Sequence, residues 1–133
     1  MTRILWSWLP PAIWAAILFV LSAIPGRAFP VVKVWNLDKL VHFGAYAVLG
    51  ALLCRAAIRS GRLRSGAPTV LFVFAAATIY GVTDELHQLF VAGRSADWRD
   101  AVADALGGLI GALVWKVVAD RQHGRQASVE ARS

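Results

Sequence analysis

Four apolar runs, each as long as a bilayer is thick and each set off by a charged or turn-forming stretch, dominate this chain of 133 residues. A helix rises about 1.5 Å per residue, so roughly 20 apolar residues cross the ~30 Å hydrocarbon layer. The runs fall at about 5–24, 37–57, 69–91 and 101–119. In hydrocarbon the backbone N–H and C=O groups must be satisfied without water, which single apolar runs of this length achieve as helices. The predicted fold class is therefore all-α, an integral membrane four-helix bundle with both termini cytoplasmic. With 58% of residues hydrophobic, four spans use most of the chain and leave no room for a second folded domain. The transmembrane domain is read as 1–120. The remainder, 121–133, rich in Arg, Gln, Ser and Ala without apolar periodicity, reads as a mobile cytoplasmic tail.

A formal net charge of +6 raises nucleic acid as a partner, but the basic residues sit between apolar runs instead of on an amphipathic surface. Membrane topology accounts for them. Arg55, Arg59, Arg62 and Arg64 occupy the second loop with no acidic residue, which makes that loop cytoplasmic by the positive-inside rule. Arg3 at one end and Lys116, Arg121, Arg125 and Arg132 at the other agree. Trp6, Trp8 and Trp115 fall at the inner ends and Trp35 and Trp98 at the outer ends, the headgroup level that indole favours; Trp14 alone lies inside a span. Pro10 and Pro11 are expected in the first turn of helix one, where a missing N–H costs little. The first span reads as an uncleaved anchor in a multi-pass protein of the cytoplasmic membrane. One cysteine, Cys54, permits no internal disulfide and reads as packing.

The polar residues are unevenly placed. Of eight acidic residues, Asp38, Asp84, Glu85, Asp97, Asp100 and Asp104 lie at the start of span two, the end of span three or the start of span four, all outer ends. Lys39, His42, Tyr46, Gln88, Arg94 and Arg99 share that level. Asp38, His42 and Tyr46 recur every four residues, so they stack along one stripe of helix two, as Asp84 and Gln88 do on helix three. On helix four, Ala103, Gly107 and Gly111 form a small-xxx-small stripe that lets another helix approach closely, within one chain or between two.

Plain structural roles compete for several of these residues. Asp38 and Asp97 precede helices and suit N-caps, and Asp100, three after Asp97, suits a capping box. Lys39, Arg94 and Arg99 suit headgroup anchoring, and His87 an interfacial histidine. Capping explains neither Asp84 nor Glu85, which approach a helix C-terminus where the macrodipole opposes a carboxylate, nor Asp104 within a span. An acid at mid-span costs on the order of 3 kcal/mol, so these are expected to face protein or water.

The chain resembles the VanZ-like family of small membrane proteins. The resemblance covers roughly 22–111 and rests on Asp38, Lys39, His42, Phe43 and Tyr46, on Asp84, Glu85, Gln88, Phe90 and Arg94, and on Asp100 with Gly107 or Gly108 and Gly111. It implies an association with resistance to the glycopeptide antibiotic teicoplanin. Where the family often carries Asn, this chain has Asp104.

Two functional expectations follow. The first is binding or modulation of a cell-envelope ligand, such as a lipid headgroup, a wall precursor or a glycopeptide antibiotic, through Asp38, Lys39, His42, Tyr46, Asp84, Glu85, Gln88, Arg94, Asp100 and Asp104. The alternative is a membrane enzyme acting on a lipid-linked substrate at the same cluster, by acid-base chemistry or with a divalent metal on oxygen ligands. No zinc-protease, nucleophile-elbow or phosphate-loop motif is present, so no cofactor is predicted, and a metal is admitted only by the carboxylates. A proton or ion pathway fits poorly, because the inner halves of the spans carry almost nothing ionisable.

Overall fold

A computed structural model describes residues 2–26 and 37–130 of the chain. Four helices follow one another: α1 (Thr2–Ser22), α2 (Leu37–Arg59), α3 (Ala67–Gln88) and α4 (Trp98–Glu130). All four are long and apolar enough to cross a membrane. Most of their large hydrophobic side chains, Leu71, Ile79, Leu86 and Val114 among them, point outward, as lipid requires and water would punish.

Successive helices run in opposite directions. At one end the C-terminus of α1, the N-terminus of α2, the C-terminus of α3 and the N-terminus of α4 are tied together. Arg94 donates to the carbonyls of Ile24 and Leu21, Gly26 N–H to Ala92, and Lys39 reaches Asp97 and Asp100. At the other end Ser65 in the Arg-rich loop donates to Asp120 of α4 at 2.5 Å. The polar constellation thus occupies one end of the bundle.

The tightest pairing is between α2 and α4, and glycine is the reason. A Cβ at Gly107 would overlap the Phe43 carbonyl, one at Gly111 the Ala47 carbonyl, and one at Gly50 the Gly108 carbonyl. The stripe that sequence left open to a contact within or between chains therefore packs inside this one, with half-buried Ala103 a turn above it. Gly81 of α3 plays a related part: a Cβ there would lie 2.8 Å from Cβ of Asp104, so the glycine makes room for a carboxylate. Small apolar cores fill the remainder, one around Leu18, Tyr46, Leu49 and Ala77, the other around Cys54, Val73 and Ala112.

Helix limits differ from the sequence expectation in four places. Pro10 and Pro11 stand well inside α1, because the helix extends back to Thr2. The amides lost are those that would meet the Trp6 and Ser7 carbonyls, and the Ser7 hydroxyl itself turns back to the Arg3 carbonyl at 2.8 Å. α3 stops at Gln88 instead of 91, with Leu89 to Val91 forming turns under the positive-φ Gly93. Asp84 is thus only about 6 Å from the helix end at 1.5 Å per residue. α4 begins at Trp98, and the segment read as a mobile tail carries the helix on to Glu130, with exposed side chains at 121–125 and 128–130. Asp38 falls one residue inside α2 instead of capping it. Trp35 and Arg132 lie outside the described residues.

Candidate functional site

At the polar end three helices contribute to a connected set of side chains. Lys39 of α2 is its electrostatic centre. Its ammonium group donates to Asp38 Oδ2 and Asp97 Oδ2, both at 2.8 Å, and lies 2.7 Å from Asp100 Oδ1 as an ion pair, so three carboxylates surround one cation. Outside the helices, the neighbouring Lys39 ammonium and the Arg99 amide hold the Asp97 carboxyl below its ordinary range.

Asp97 is also the N-cap of α4. Its Oδ1 accepts the Arg99 amide at 2.9 Å and its carbonyl accepts the Asp100 amide. The capping-box expectation for Asp100 is not met, since Asp100 turns to Lys39. Glu85 fills that role from another helix: its Oε2 accepts the Asp97 backbone N–H at 2.8 Å. An acid that seemed beyond any capping explanation therefore helps to start α4.

One turn deeper, His42 Nδ1 lies 3.0 Å from Oδ1 of Asp104, which has no exposed side-chain surface at all. With Asp104 ionised the carboxylate only accepts, and Nδ1 is then the donor in that pair. On α3, the Gln88 amide lies 3.4 Å from both Asp84 Oδ2 and Glu85 Oε1, long contacts that hold the three buried side chains loosely together. Two further buried oxygens, Asp84 Oδ1 and Asp104 Oδ2, have no hydrogen-bond partner among the described residues, and neither does the Tyr46 hydroxyl.

Beside this cluster is a cavity of about 430 Å³ between α1, α2 and α3. Leu18, Leu21, Leu37, Val41 and Ala45 make its apolar wall, while Asp38, His42, Tyr46, Asp84, Gln88 and Arg94 line its polar side. Leu21, Leu37 and Val41 are also exposed on the helix surface, so the wall is continuous with the lipid-facing side of the bundle. The periodic stripe of α2 is what lines it: Asp38, His42 and Tyr46 all border the space.

The profile of the VanZ/LLP1 family matches residues 4–119. The chain belongs to the VanZ/LLP1 family. No curated protein matches it, and no solved structure does. As a VanZ/LLP1 protein with four candidate spans, it is a multi-pass membrane protein.

All ten candidate residues lie at one end of the bundle, but they divide. Lys39, Asp100 and Glu85 belong to the cluster at the start of α4, Tyr46, Asp84, Gln88 and Arg94 border the cavity, and His42 borders the cavity while binding Asp104. Asp38 borders the cavity and also joins the Lys39 cluster. Sequence reasoning missed the contribution of α1, whose Leu18, Leu21 and Ser22 close the cavity. The available signal was Trp14, the indole away from an interface, whose N–H donates to the Ala45 carbonyl of α2 at 2.9 Å. Tyr80 similarly donates to Ala15 at 2.6 Å, so α1 is held by two side chains that reach backbone carbonyls.

Proposed function

We propose that this VanZ/LLP1 protein binds the polar head of a lipid-borne cell-envelope molecule, with its apolar portion against α1 and α2 and the polar end of the bundle facing the cell exterior. The ligand class spans phospholipid headgroups, lipid-linked wall precursors and the glycopeptides that recognise them. What supports the reading is one observation: an amphipathic cavity of about 430 Å³ bordered by Tyr46 and Asp84, whose buried hydroxyl and Oδ1 have no hydrogen-bond partner among the described residues. The volume falls in the ordinary range of ligand sites. Leaving such an atom unsatisfied costs about 1–3 kcal/mol, which a ligand regains by supplying the partner. Asp84 calls for a donor, so the head should carry hydroxyl or amine groups, while Tyr46 can donate to a phosphate or hydroxyl oxygen.

The test is binding to the full chain in nanodiscs, with phosphatidylethanolamine, phosphatidylglycerol and a polyprenyl-diphosphate sugar compared by thermal shift and native mass spectrometry. Tyr46→Phe and Asp84→Asn are expected to weaken the preferred ligand about tenfold each, the equivalent of about 1.4 kcal/mol. If both variants bind every probe as wild type does, the cavity is not the binding site.

A further inference from the structure

The cluster beside the cavity has a composition that headgroup binding does not use. His42 from α2, Glu85 from α3 and Asp100 from α4 each offer one ligand atom, and these atoms all lie within 4.8 Å of one another. Glu85 is 5% exposed, and His42 and Asp100 are half-buried. We propose that these three side chains bind one divalent cation of the Mn²⁺ or Zn²⁺ kind, joining α2, α3 and α4 next to the cavity.

Charge carries the argument as much as spacing does. Among the described residues, no Lys or Arg lies within ion-pair distance of Asp84, Glu85 or Asp104, all of them buried. Lys39 spends its single charge on Asp38, Asp97 and Asp100. Buried carboxylates are stable when paired or when they coordinate metal, and among the described residues the ion pairs leave Asp84 and Glu85 without a cationic side chain. Asp104, wholly buried, retains an unpartnered Oδ2 while its Oδ1 holds His42.

That same contact prepares the histidine. A metal-binding imidazole commonly gives its second N–H to a carboxylate, which fixes ring and tautomer; with Nδ1 on Asp104, Nε2 is the nitrogen left to coordinate. Asp100 has a second oxygen besides the one at Lys39, and Glu85 keeps lone pairs beyond the one used on Asp97 N–H. Ligands about 2.1 Å from one ion stand about 3–4 Å apart, so side-chain adjustments of about an ångström close the site. One imidazole with two carboxylates suits Zn²⁺ or Mn²⁺ better than Ca²⁺, which prefers six to eight oxygens, or Cu⁺, which prefers sulfur.

The test needs no knowledge of the cavity's occupant. Full-length protein, stripped with chelator in nanodiscs, is titrated with Zn²⁺ and with Mn²⁺ alone, following stoichiometry by elemental analysis and affinity by calorimetry. One ion per chain is expected, with affinity lowered at least tenfold in Glu85→Gln and in His42→Asn, and kept in Asp120→Asn, which alters an acid at the opposite end. Tyr46→Phe should also keep the cation, which separates this site from the cavity reading. Absence of a stoichiometric ion in wild type, or equal binding by wild type, Glu85→Gln and Asp120→Asn, overturns the proposal. Circular dichroism and size-exclusion of each variant guard against unfolding; if Glu85→Gln unfolds, Asp100→Asn takes its place under the same criteria.

Discussion

Single residues at the polar end do two jobs at once, and that duality is why sequence reasoning sorted them imperfectly. Asp97 was legible as a cap from its position before α4, and it does accept the Arg99 amide. Its second oxygen, on Lys39 58 residues away, could not be read, because spacing along a helix carries no information about partners on another. Glu85 reverses the case: it looked unfit for capping by the dipole of its own helix, yet it caps α4. The Asp97 carboxyl gives a pH prediction with a definite sign. Its folded pKa is depressed, chiefly by Lys39, so its stabilising contribution is complete above the unfolded value of about 3.9 and fades as pH falls through the lower folded value. Thermal unfolding in detergent should therefore lose stability below about pH 4 in wild type, and Asp97→Asn should flatten that part of the profile. Equal slopes in the two proteins would show that Asp97 has no such linkage. The exposed side of the carboxylate keeps the effect modest, since solvent screens it.

At the level of helices, apolar length located all four elements, whereas their ends were set by interactions that hydropathy does not register. α4 passes Ala119 because nothing in 121–130 stops it: Gly124 stands alone and no proline follows. α3 ends early because Gln88 and the turns after it lead to Gly93, whose φ of 73° favours glycine. The glycine stripe was legible as a close-packing surface; that its partner is α2 was not, since spacing along α4 does not say which helix faces it, and α2 itself carries two glycines, Gly44 and Gly50. The structure separates them. A Cβ at Gly50 overlaps the Gly108 carbonyl, while one at Gly44 meets nothing within 4 Å. Gly111→Ala, which drives a methyl into the Ala47 carbonyl, is expected to destabilise the protein by about 1–3 kcal/mol. Gly44→Ala should leave it unchanged or raise it by about 0.5–1 kcal/mol through helix propensity. Denaturant titration in micelles compares the two, and equal stabilities would mean that α2 and α4 do not cross where the glycines meet.

For the whole molecule, the sequence disclosed that the polar residues share one end but not that they split into a cavity and a cluster. Hydropathy says that a segment is a span without saying which spans are neighbours, and α1 carries no charged residue at the polar end, only Trp14 and Ser22, to mark it as a cavity wall. Orientation is the remaining global property, and every reading of an extracellular ligand depends on it. Four arginines, Arg55 and Arg59 in the last turns of α2 and Arg62 and Arg64 in the loop after it, set against six carboxylates at the other end predict that the polar end faces outward. The chain lends itself to a direct check, because Cys54 is its single cysteine and is wholly buried. In a Cys54→Ala background, Ser95→Cys tags the α3–α4 loop and Ser65→Cys the Arg-rich loop. A membrane-impermeant maleimide should label the first in intact cells and the second only after permeabilisation. The reverse pattern would turn the cavity toward the cytoplasm, exclude extracellular antibiotics and wall-facing molecules as its ligands, and leave inner-leaflet lipid as the chemistry that its apolar wall and unpaired acid could serve.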